Sequence, residues 1–60
     1  MTIKEIILET ISNAYENGYE AEIENMSDEE LAWDMLDSGV FEEDVDINLI
    51  IKEIENVRNN

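Results

Sequence analysis

From Glu5 to Ile51 the chain contains no lysine, arginine or histidine, yet the same stretch holds fifteen of the seventeen acids. Few bases balance them: Lys4, Lys52 and Arg58 are the only ones. The balance is −14 on 60 residues. Crowding like charges together opposes compaction, so the apolar residues must be concentrated where they can offset that cost.

They are. Apolar residues make up 43% of the chain, nine of them isoleucine, and they recur at regular intervals. This separates the sequence from an acidic disordered segment, which is poor in branched aliphatic residues. Thr2 followed by Glu5 is a capping box. Ile3, Ile6, Ile7, Ile11, Ala14 and Tyr15 then keep helical spacing up to the Asn17-Gly18 stop, predicting a helix over 3–17. Ser27 and Glu30 form a second capping box. Asp28, Glu29 and Glu30 suit the positive end of a helix dipole, and Leu31, Ala32, Met35 and Leu36 form a stripe. The second helix spans 28–37 and stops at Gly39. Asp46 caps a third, over 47–58, with Ile47, Ile50, Ile51, Ile54 and Val57 on one face. Between the last two, Val40–Val45 reads as a loop with apolar anchors.

Residues 19–25 are ambiguous. Tyr19, Ala21 and Ile23 alternate with Glu20, Glu22 and Glu24, which is a strand period, although Glu and Ala favour helix. The expected fold is all-α: one domain over 1–60, a compact bundle of about three short helices, with residues 19–25 either helical or one short extended segment. Leu8, Trp33 and Leu49 fall off the stripes. Each is either an ordinary exposed apolar residue or part of a homodimer or partner interface, and a homodimer is expected.

The missing residue types exclude much chemistry. With no cysteine and no histidine, the common nucleophiles, bases and soft metal ligands are gone. The two glycines are isolated, so no phosphate-cradling loop exists. No enzymatic activity, cofactor or metal is expected. Asp44, Asp46, Asn48 and Glu55 match part of a calcium-binding EF-hand loop, but Leu49 occupies the place that needs glycine. The same residues read better as an Asp-capped helix. No apolar run exceeds three residues, so neither a membrane span nor a secretory core is expected, and the location by default is cytoplasmic.

What remains is the charge. It repels nucleic acid and anionic lipid directly and attracts basic surfaces. Glu30, Asp34 and Asp37 are spaced to lie about 5–6 Å apart on a helix. If residues 19–25 were extended, Glu20, Glu22 and Glu24 would stand about 6.6 Å apart. Both spacings approximate successive phosphates of a nucleic-acid strand. These six acids, with Trp33 and Phe41 as apolar anchors, are the candidate partner-binding residues. Two bland explanations compete: a solvated face that merely keeps the protein soluble, and adaptation to high salt.

In size and acidity the chain resembles the small phage-encoded counter-defence and host-takeover proteins, among them anti-CRISPR and anti-restriction proteins that mimic nucleic acid. Its local stretches, such as Met26 to Leu31, are generic helix starts. The resemblance therefore implies an inhibitor class and carries over no functional residue. It says nothing of the target; the charge is what points to the basic surface of a nucleic-acid-handling or defence protein of a bacterial host, and not to nucleic acid itself. The alternative is a small adaptor or structural protein working through apolar helix faces.

Overall fold

The computed structural model describes residues 1–59. It is all-helical: α1 Ile3–Glu16, α2 Glu20–Asn25, α3 Asp28–Ser38 and α4 Ile47–Arg58. The three longer helices lie where the capping and stripe signals put them.

Their ends are fixed locally. The Thr2 hydroxyl accepts from the Glu5 amide at 3.1 Å, and the Glu5 carboxylate accepts from the Thr2 amide at 3.0 Å. The Thr2 amide bonded to it, and secondarily the Thr2 side chain, hold the Glu5 carboxyl below its ordinary value of 4.5. At α3 the Ser27 hydroxyl accepts from the Glu30 amide at 3.1 Å and donates to the Glu30 carboxylate at 3.3 Å. Only the first half of a capping box forms there. Asp46 caps α4 by accepting from the Asn48 amide at 2.9 Å. Helix α1 closes on Gly18, whose φ of +85° is the left-handed conformation that glycine takes without strain. The Gly18 amide donates to the Tyr15 carbonyl and the Tyr19 amide to the Ala14 carbonyl, the paired bonds of a Schellman motif.

The chain then enters α2, and here the structure corrects the extended alternative for residues 19–25. A lone strand would leave its backbone donors and acceptors without partners, because no other described residue is in a strand. One and a half turns of helix satisfy them internally. The Ile23 amide, for instance, bonds to the Tyr19 carbonyl at 3.0 Å.

The helix directions follow from which residues meet. Ile3 and Ile6, early in α1, border the same surface hollow as Phe41 and Val45, just before α4. Ile11 and Tyr15, late in α1, border another with Val57 and Arg58, late in α4. Helices α1 and α4 therefore run the same way. Arg58 donates to Asp28 at 3.0 Å, an ion pair that sets the start of α3 beside the end of α4. These two helices are antiparallel. Arg58 also reaches the Ile23 carbonyl at 3.4 Å, near the C-terminal end of α2. One base thus ties three helices together near one end of the bundle.

Helix α4 packs against both α3 and α1, and α2 packs against α1. The core is Ile7 from α1, Leu31, Ala32 and Met35 from α3, Phe41 from the loop, and Ile50 and Ile54 from α4. No polar or charged side chain is buried among the described residues.

Candidate partner-binding surface

The outer face of α3 carries a cluster of acids. Met26, Ser27, Glu29, Glu30, Trp33, Asp34 and Asp37 line an open cleft of about 470 Å³. The i, i+3 and i+4 spacing explains why: Glu30, Asp34 and Asp37 lie on one stripe, and Glu29 and Trp33 on the next. The opposite stripe, Leu31, Ala32 and Met35, is buried. Burial of that stripe forces this one outward. Trp33 remains 47% exposed. A half-exposed indole set among four carboxylates and no base offers both an apolar contact and a strong negative field.

Four of the expected residues are therefore together: Glu30, Trp33, Asp34 and Asp37. The others are elsewhere. Because residues 20–25 are helical, residues two apart point to different sides, and the even ladder of Glu20, Glu22 and Glu24 does not exist. Glu22 turns toward a groove between α1 and α3. Glu24 borders a hollow with Arg58, whose positive charge offsets part of its field. Glu20 is exposed on the first turn of α2.

Phe41 is a further correction. It is not an available anchor, because it is 7% exposed and belongs to the core. A benzyl group in a loop that closes the end of an apolar bundle gains more from covering that core than from facing water. Conversely, sequence reasoning passed over Glu29 and Met26 as members of the cleft. For Glu29 the signal was present, since it precedes Trp33 by one helical turn; Met26 lies ahead of the Ser27 cap in extended backbone, so helical spacing could not place it.

The stretch Asp44–Glu55 is not arranged as a cation loop. Its residues from Ile47 onward are wound into α4. Among the described residues no three carboxylates gather closely enough to hold a metal ion. No helix among them is long and apolar enough to cross a membrane.

No protein-family model matches the chain, and no curated protein or solved structure matches it. The functional reading therefore rests on the geometry and charge just described.

Proposed function

We propose that the protein is a small acidic inhibitor that binds the basic surface of a host nucleic-acid-handling or defence protein through the outer face of α3. What supports this reading is one observation: Glu29, Glu30, Asp34 and Asp37 surround the exposed Trp33 in a single cleft that no base lines. The field of the whole chain adds to it, since 17 acids face three bases. Such a field speeds encounter with a basic partner and discriminates against acidic ones. The carboxylates would occupy the positions of phosphates in the partner's groove, and Trp33 would add a desolvated contact of the kind that dominates interfaces. The protein has no catalytic part in this reading, does not itself touch nucleic acid, and acts in the cytoplasm of the bacterial host.

The test begins with capture of partners from bacterial lysate at low and moderate salt, followed by titration of the purified partner. A nucleic-acid-binding protein should be retained, and both competing DNA and salt should release it. Replacing Glu30 by Gln and Asp34 and Asp37 by Asn should weaken binding on the order of 100-fold, taking about 1 kcal/mol for each charge. The helices should persist, because these side chains are exposed. A partner that ignores salt, DNA and the triple substitution would sink the phosphate-mimic reading and favour the adaptor alternative.

Self-association is a second element of the proposal, and a specific observation favours it. Leu8 on α1 and Leu49 on α4 stay 45% and 51% exposed, although α1 and α4 supply much of the apolar material. A homodimer that covers either residue would still meet repulsion between two chains of −14. Association should therefore strengthen as salt rises. Sedimentation at increasing sodium chloride should show a growing dimer fraction that Leu8→Lys or Leu49→Lys abolishes. A monomer at every salt concentration would remove the homodimer from the proposal.

A further inference from the structure

Helices α1 and α3 both pack on α4, and a groove of about 270 Å³ lies between them, bordered by α2. Ala14, Ile23 and Met26 contribute apolar surface to it, and the buried Leu31 and Met35 lie beneath. Its polar groups are nearly all of one kind. Glu22 and Asp34 line it, and ionised carboxylates can only accept hydrogen bonds. The hydroxyls of Thr10 and Ser38 also line it, but their protons are already used. Thr10 donates to the Ile6 carbonyl and Ser38 to the Met35 carbonyl, each at 2.8 Å. Only lone pairs remain to these hydroxyls. The Tyr19 phenol is the one side-chain donor, and no base lines the groove.

A complementary occupant must therefore be apolar at its centre and must carry donors and positive charge at its edges. An anionic occupant meets two carboxylates and the field of the whole chain. Size narrows the choice further. Small-molecule sites commonly measure roughly 300–1,000 Å³, and this groove lies below that range. It suits one large side chain rather than a whole ligand.

We propose that the groove receives one apolar side chain from a basic amphipathic helix of the partner protein, with Lys or Arg one turn to either side reaching Glu22 and Asp34. This rests on the reading of the protein as a binder of basic surfaces, and it adds a shape-specific contact to the electrostatic one. Helix-in-groove recognition places its anchors at i, i+3 and i+4, the same spacing that would set a cation beside each carboxylate. Asp34 borders both the groove and the outer cleft of α3, so one partner could engage both.

The experiment uses the full chain labelled with nitrogen-15 and two synthetic peptides of identical Lys, Leu and Ala composition. Both are about five helical turns long, one amphipathic and one scrambled. At about 0.15 M salt, exposed charges more than roughly 8 Å apart are largely screened. The amphipathic peptide should then bind at least tenfold more tightly than the scrambled one, with amide shifts at Thr10, Ala14, Glu22 and Met35. Ala14→Phe fills the groove and should erase that preference, with circular dichroism checking that the helices survive. Glu22→Lys changes an exposed residue of α2 and should weaken the amphipathic peptide about tenfold, which keeps the test decisive if Ala14→Phe misfolds. Equal binding of both peptides, with shifts confined to the outer face of α3, would overturn the groove and leave the acidic-surface reading standing. Binding of neither peptide would overturn both.

Discussion

Ile54→Ala should remove most or all of the domain's stability at 25 °C. Ile54 is fully buried in the helix that contacts both α1 and α3. Truncating such a side chain costs about 2–5 kcal/mol, through lost transfer energy and the cavity left behind. At about 0.05–0.15 kcal/mol per residue, a chain of this length has roughly 3–9 kcal/mol in total. The lower part of that range is the more apt, because small cores rarely supply more than about 3–5 kcal/mol and this one also works against its own charge. The substitution therefore removes most or all of the margin. Far-UV circular dichroism during a urea titration reads the result. Leu49→Ala is the matched control: it is on the same helix but half exposed, and it should cost no more than about 0.5 kcal/mol. Equal effects of the two substitutions would mean that α4 does not bury the face described here.

Raising sodium chloride from about 0.01 M to 0.5 M should increase the melting temperature by on the order of 5–15 °C. The physical cause is distance. The molecule measures 30 × 22 × 19 Å, and the screening length at 0.01 M is about 30 Å. At low salt nearly every carboxylate therefore feels every other. At 0.5 M the screening length is only about 4 Å, a small fraction of these dimensions. The repulsion penalises the compact chain more than the expanded one, so screening favours folding. About 1–2 kcal/mol of relief corresponds to that rise, since 1 kcal/mol shifts a domain of this size by about 4–8 °C. The single ion pair among the described residues, Arg58 with Asp28, weakens with salt, but its partly exposed geometry limits the loss to about 1 kcal/mol or less. A melting temperature that falls with salt would mean that attraction, not repulsion, dominates the folded charge pattern. The same salt series should weaken partner binding, so stability and affinity should move in opposite directions.

Much of the fold was legible beforehand because its signals are local. Thr2 with Glu5, Ser27 with Glu30, and Asp46 lie within one turn of the amides they cap. Gly18 and Gly39 stand where a left-handed residue closes a helix. The stripe of Ile47, Ile50, Ile51, Ile54 and Val57 predicts the face of α4 that the bundle covers, because helical periodicity needs no knowledge of the partner helix. The cleft on α3 was legible for the same reason: Glu30, Trp33, Asp34 and Asp37 share one side of one helix. Residues 19–25 were not, because alternation and helix propensity disagreed, and the decision turned on whether any other segment could pair with a strand.

The sequence by itself determined that three capped amphipathic helices form, and that α3 exposes an acidic face around Trp33. Each of these follows from charge, from periodicity or from contacts within a single turn. The tertiary structure alone decided that Phe41 enters the core, that Glu22 and Glu24 separate to different hollows, and that Arg58 joins α4 to α2 and α3. It also left an apolar groove between α1 and α3. Those outcomes depend on which faces meet across residues far apart in the chain, and burial is a property of neighbours that a stretch of sequence does not contain.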